Sequence, residues 1–253
     1  MFKLANNIAM IPQLIAAEKD YLIINKPAGL IVHLPRLGYQ EPTLVDWLIK
    51  NYPEVKNVGD EVKLRPGIVH RLDKEASGLM VIARNQESFI WLKSQFQQRK
   101  VLKEYLSLVY GQIKKEEGEI SLPLNKGAGR TKVKPRGKEN QKSNIKKAVT
   151  QFEVLERFQH YTLIKVRIET GRTHQIRAHF ANYGHSIVGD QKYCHSRDRK
   201  RKAFTKFVKS DRLFLHSHRL GFYDLNREWQ EYRSALPEEL RKFLDTLYLD
   251  AKF

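Results

Sequence analysis

Asp73 is the residue with the clearest chemical potential in this 253-residue chain. It lies in the segment Gly67–Arg84, three residues after His70 and two after Arg71, and Leu79–Ala83 then form a short apolar run. Polar groups wedged between apolar segments cost free energy unless they are paired. One reading is a turn held by a structural Arg–Asp pair. The other is a nucleophile: a lone carboxylate can attack carbon if a nearby cation keeps it ionised and water is excluded.

Other constellations are poorer. Ser77, His70 and Asp73 could be assembled into a hydrolytic triad, but no glycine elbow surrounds the serine. His174 and His179 are five apart rather than the four that aligns two ligands on a helix face, and His216 and His218 have no acidic or cysteine companions. No metal site is therefore expected. A phosphate-cradling glycine loop is absent, so ATP use is not indicated. The single cysteine, Cys194, excludes an intrachain disulfide and a cysteine-based zinc site.

The elements that must position Asp73 can be read from pattern. Tyr21–Ile24 and Leu30–Val32 read as paired strands around the turn Asn25–Gly29. Thr43 is placed to cap a short helix carrying Leu44, Trp47 and Leu48. Residues 51–66 read as a loop and Leu79–Ala83 as a buried strand. Phe89, Leu92 and Phe96 recur at helical spacing within Glu87–Lys100. Lys103–Gly111 reads as a strand with Lys103 and Tyr105 on one face, and Tyr105 by itself could be a core tyrosine. Val149–Leu155 and Tyr161–Glu169 read as an antiparallel pair. After Gly171, Thr173 is expected to cap a helix with Ile176 and Phe180 on its core side, leaving Arg172 and Arg177 to face a site. Leu213–Phe222 reads as a strand. A last helix begins at Pro237, with Leu240, Phe243, Leu244 and Leu247 on one face.

Charge narrows the partner. The formal net charge is +18, and segments 125–147 and 192–212 together hold eighteen Lys and Arg against three acids. Such clusters are expected to be exposed loops that grip a polyanion, with nucleic acid as the leading candidate and an anionic membrane surface second. With RNA as substrate, the target base must leave its stack to reach Asp73, and a flat Tyr or Arg can stack on it or fill its place. No apolar run approaches the roughly 20 residues that span a bilayer, and the N-terminus lacks a secretory apolar core. A cytoplasmic, monomeric protein without a membrane partner is expected.

Here the chain resembles the RluA-type RNA pseudouridine synthases. The resemblance is carried by His70-Arg71-Leu72-Asp73-Lys74-Glu75-Ala76-Ser77-Gly78-Leu79, and in the same order by Asn25–Leu30, Lys103-Glu104-Tyr105, Gly171–Arg177 and Gly189-Asp190. It covers about residues 14–236. It implies an α+β fold, with a mixed, mostly antiparallel sheet flanked by helices and loops. One catalytic domain is expected over residues 1–253, without the N-terminal S4 RNA-binding domain of many relatives. It implies isomerisation of uridine to pseudouridine with no cofactor. By carry-over Asp73 is the nucleophile, Arg177 pairs with it, and Tyr105 stacks on the uracil and assists removal of the C5 proton. Arg71 takes the place of the flipped base, Ile176 forms part of an apolar wall, and His70 and Arg172 contact substrate. Ala76 stands where the family usually has threonine. Arg65-Pro66-Gly67 and the intact Gly-Arg-Thr-His-Gln-Ile-Arg look most like the branch acting on large-subunit ribosomal RNA (rRNA), with transfer RNA (tRNA) as the alternative. A non-catalytic RNA-binding module would leave Asp73 without a role, and a metal-dependent RNA hydrolase would cleave the strand.

Overall fold

A computed structural model of the chain describes residues 11–34, 40–126, 131–133, 145–199 and 212–250. Its strands are β1 (Gln13–Ala17), β2 (Tyr21–Lys26), β3 (Ser77–Ala83), β4 (Leu102–Tyr110), β5 (Glu117–Ser121), β6 (Leu124–Lys126), β7 (Thr131–Val133), β8 (Ile145–Lys146), β9 (Val149–Arg157), β10 (Tyr161–Ile168), β11 (Leu215–Tyr223) and β12 (Trp229–Arg233). The helices are α1 (Leu44–Asn51), α2 (Gln86–Gln97), α3 (Gln175–Asn182), α4 (Ser196–Arg199) and α5 (Glu238–Asp250). The architecture is α+β, as expected. The chain divides into two compact units: Met1–Leu102 with Arg219–Ser234, and Lys103–His218 with Ala235–Phe253.

In the first unit, β2 pairs antiparallel with β1 on one side and β3 on the other. Every residue of β3 is buried, which is why it reads as a continuous apolar run rather than an alternation. Tyr21, Ile23, Leu79, Val81 and Ala83 pack with Phe89 and Leu92 of α2 and with Leu220 and Phe222 of β11. α1 starts at the expected cap: the Thr43 hydroxyl accepts from the Asp46 N–H, while the Asp46 carboxylate accepts from the Thr43 N–H at 2.8 Å. Gly67 has φ 67°, and a Cβ there would lie 2.5 Å from Val55 Cγ1, so only glycine fits the approach to the Asp73 segment.

One expected strand is absent. Leu30–Val32 forms only an isolated bridge, Ile31 to Thr43, and the hairpin is instead β1–β2. The cause is Lys26, which is fully buried. Its Nζ donates to the carbonyls of Pro27 (2.7 Å) and Leu30 (2.9 Å), so the following residues curl round the ammonium instead of extending. Leu30 and Val32 are apolar because they are buried in that loop. Within residues 51–66, Pro53–Asn57 form a 3₁₀ turn.

In the second unit the strand order is β4-β10-β9-β5, with antiparallel ladders. Thr162, Ile164, Val166 and Ile168 of β10 are buried as their alternation requires, while Arg167 is exposed. The described parts of the first basic segment are not loop: β7, β6 and β8 form a small antiparallel sheet. Thr131 explains this. It is buried, its N–H donates to the Tyr193 hydroxyl, and its own hydroxyl donates to the Thr173 carbonyl. Residues 127–130, 134–144 and 200–211, which carry much of the basic clusters, lie outside the described residues. Arg212 is buried rather than exposed, with Nε on Glu239 at 2.9 Å and Nη1 on its neighbour's carbonyl. α5 places Leu240, Phe243, Leu244 and Leu247 in the core, as its periodicity requires. Among the described residues no helix is long and apolar enough to cross a membrane.

Candidate active site

Asp73 is half-buried at the start of a tight turn, in which the Ala76 N–H donates to the Asp73 carbonyl at 3.2 Å. The turn is tied from outside. The Lys74 carbonyl accepts from the Gly29 N–H at 2.7 Å and from Lys26 Nζ at 3.3 Å, so the Asn25–Leu30 loop is roped to the turn. Lys26 is a positioning residue. In the sequence it is marked only as the lysine that follows Asn25 after the apolar run Tyr21–Ile24. Ala76 is buried, so a threonine in its place would bring a hydroxyl that needs a partner.

The neighbours of Asp73 point in different directions. Arg71 is exposed. His70 stacks on Phe96 of α2 with ring centroids 4.6 Å apart, and its Nε2 accepts the Val81 N–H at 3.1 Å. That bond leaves the proton of a neutral imidazole on Nδ1 and fixes the chain just before Asp73 to β3. Leu72, between Arg71 and Asp73, is buried and anchors the segment a second time.

Tyr105, Arg172, Ile176 and Arg177 lie in the second unit. Tyr105 is buried in β4, opposite Val166 of β10. Arg177 is buried on α3. It is 2% exposed, and Nε and Nη2 bond the two Asp190 carboxylate oxygens at 2.8 and 3.0 Å. Asp190 Oδ1 also accepts the N–H groups of Lys192 and Tyr193. The Arg177 guanidinium lies 5.4 Å from the centre of the Tyr193 ring. This fork-to-fork pairing fixes the guanidinium and the carboxylate against each other in the interior. Asp190 was visible in the sequence as part of Gly189-Asp190, but nothing local joined it to an arginine thirteen residues earlier.

The helix carrying Arg177 starts later than expected. Thr173 is not its cap. His174 takes the cap position in the left-handed region at φ 53°, with no side-chain cap bond. Its ring nitrogen Nδ1 lies 3.0 Å from the Tyr193 hydroxyl. The Gln175 side chain ties the helix start to the chain before it: Oε1 accepts from the Thr170 hydroxyl and the Arg172 N–H, and Nε2 donates to Val149 O and Thr150 Oγ1. The Thr150 hydroxyl is then left to donate to His179 Nδ1, and His179 Nε2 donates to Leu122 O. Burial depresses the His179 pKa below its usual value, which suits this neutral, fixed tautomer. Burial pushes the Tyr193 hydroxyl up, against the pull of its bond from Thr131. Ile176 is buried beside Arg177, and Arg172 is half-buried with Nε 3.5 Å from Lys147 O.

The RNA pseudouridylate synthase family model matches residues 20–182. An uncharacterized RNA pseudouridine synthase of Aquifex aeolicus is 39% identical over 234 residues, 90% of this chain and 70% of that protein. Ribosomal large subunit pseudouridine synthase D of Yersinia pestis is 34% identical over 243 residues, covering 93% and 70%. The structure of human RNA pseudouridylate synthase domain containing 4 shares the fold, with a TM-score of 0.74 at 23% identity over 93% of each chain. This chain belongs to the RNA pseudouridylate synthase family. It is an RNA pseudouridine synthase, and its reaction is the isomerisation of uridine in RNA to pseudouridine.

For a pseudouridine synthase the described chemistry is economical. The bond from N1 of the base to C1′ breaks, a bond from C5 to C1′ forms, the C5 proton leaves and N1 takes up a proton. Nothing is oxidised or hydrolysed overall. Among the described residues no group of three His, Cys, Asp or Glu side chains is arranged to hold a metal ion. Cys194 is buried, and burial pushes its thiol up to about 12, where it stays protonated and a poor nucleophile.

Proposed function

We propose that Asp73 is the nucleophile of this synthase and that a uridine of large-subunit ribosomal RNA is its substrate. The observation that carries the first part is the way Asp73 is held. A half-buried carboxylate stands on a turn fixed through Lys74, Lys26 and Gly29, which suits a group that must attack from one set direction. The attack is on C1′ of the ribose or C6 of the base. Arg177 is the cation that keeps Asp73 ionised, its own orientation set by Asp190. Tyr105 stacks on the uracil and assists loss of the C5 proton, and Ile176 lies against the base. Arg71, exposed beside Asp73, fills the space the flipped base leaves. Arg172 contacts the RNA backbone, and His70 serves the substrate through the segment that it holds.

The ribosomal assignment is supported by the names of relatives such as the Yersinia pestis enzyme and by the Arg65-Pro66-Gly67 approach to the motif. A monomer acting in the cytoplasm completes the reading. It is tested with RNA tritiated at C5 of uridine. Wild type releases tritium without cutting the strand, and Asp73→Ala releases none while still binding RNA. Release that persists in Asp73→Ala removes the nucleophile assignment. Pseudouridine mapping in ribosomal and transfer RNA from a deletion strain tests the substrate; loss confined to transfer RNA overturns that half.

A further inference from the structure

α2 has a second working face. Phe89 and Leu92 enter the core, and Trp91 and Gln98 turn instead towards the β11–β12 hairpin of the same unit. With Tyr223, Trp229, Lys100 and Arg227 they line a groove of about 610 Å³. The proposed chemistry at Asp73 uses none of these residues.

The groove is built from exposed aromatic rings that are nevertheless fixed. Trp229 and Tyr223 are 43% and 41% exposed. The Trp229 indole lies across Gly221, where a Cβ would come within 2.4 Å of the ring. Tyr223 meets Trp229 edge-on at 5.1 Å. The backbone of Tyr223 is pinned by α2: its carbonyl accepts from Trp91 Nε1 and Gln95 Nε2, and its N–H donates to Gln95 Oε1. Rings held this way lose little freedom when something flat lies on them. The Asp224 carboxylate accepts from the Glu228 N–H and Gln230 Nε2, and Glu228, between Arg227 and Trp229 in sequence, is exposed. Lys100 and Arg227 are exposed and form no ion pair among the described residues.

Flat aromatic faces bordered by uncommitted cations are what an unpaired nucleotide requires: the base stacks and the phosphate meets a positive charge. We propose that this groove binds an unpaired nucleotide of the RNA substrate, distinct from the uridine that reacts. The proposal rests on the RNA substrate of the family and deepens it by adding a second contact. An acidic peptide would satisfy the cations but would leave the ring faces unused.

The test uses the full chain and a short oligoadenylate, which offers bases and phosphates but no uridine. Two of the three tryptophans line the groove, so binding is read as quenching of intrinsic fluorescence. Trp229→Ala is expected to weaken binding about tenfold, and Trp229→Phe to restore most of it. Replacing Lys100 and Arg227 together by glutamine should lower the slope of log affinity against log salt by about 1.4. Asp73→Ala should bind oligoadenylate like wild type. Wild-type affinity in Trp229→Ala overturns the proposal, as does equal quenching by polyglutamate. If oligoadenylate fails to quench while tritium release from uridine-labelled RNA proceeds, the groove assignment falls and the synthase assignment stands.

Discussion

Asp73 and Arg177 sit on stretches held by different kinds of force. The Asp73 segment is fixed mainly by packing and main chain: Leu72 is buried, His70 lies on Phe96, and peptide groups tie the turn to the Asn25–Leu30 loop. The Arg177 stretch is fixed by side-chain polarity. Asp190, Gln175, Thr150, His179 and Tyr193 form charge-assisted and directional bonds in a nearly dry interior. A packed anchor weakens by degrees when trimmed. A buried polar network fails abruptly, because removing one partner strands another without water.

That contrast can be broken most directly at Asp190. Asp190→Ala leaves the Arg177 guanidinium buried without its main counter-charge and should cost about 3–5 kcal/mol, read as a fall in the urea midpoint. The double replacement of Arg177 by Met and Asp190 by Leu should recover only part of that stability, because the Lys192 and Tyr193 N–H groups still lose Asp190 Oδ1, while tritium release stays lost. A loss under about 1 kcal/mol for Asp190→Ala would mean that water reaches the site and that the contrast is overstated.

His70→Ala is the matching probe in the first unit. It removes the ring against Phe96 and leaves the Val81 N–H without its acceptor, for about 1–3 kcal/mol. Tritium release should fall while RNA binding holds, since only the segment carrying Asp73 is loosened. If His70→Ala costs as much as Asp190→Ala, the distinction between packed and polar anchoring fails.

The smallest effect is a pH dependence. His179 has a folded-state pKa below its ordinary 6.5, so the unfolded chain binds the proton more readily. Its contribution to stability is present above about pH 6.5 and is lost as pH falls towards the lowered value. Between about pH 7.5 and about pH 5.5 the urea midpoint should drop less in His179→Asn than in wild type. Equal drops would show that His179 is not held neutral.

The sequence made local order legible and left long-range order obscure. β3, α2, α5 and the Thr43 cap could be read because periodicity and capping act within a few residues. The bend after Lys26 could not, because it depends on one ammonium collecting carbonyls from Pro27, Leu30 and Lys74. α3 starts one residue later than Thr173 would place it, with His174 in the left-handed region at the cap and Gln175 tied to Thr170 and Val149, partners that spacing does not reveal. The strands within the first basic segment are two or three residues long, too short for alternation to register, and are held by distant partners of Thr131. Asp73, Tyr105 and Arg177 stood out as a set only through the family pattern, and the role of Asp190 emerged only from geometry.

The cage around Lys26 has a mechanical consequence. Its Nζ sits among main-chain oxygens much as a cation sits in a crown ether, and one rim of that crown belongs to the turn that bears Asp73. Neither rim can swing away without exposing carbonyl dipoles to each other and a bare ammonium to an apolar surround. Loosening the Asn25–Leu30 loop therefore loosens the Asp73 turn, and the Gly29 amide, bonded to Lys74 O, is a built-in reporter whose hydrogen exchange follows the catalytic turn.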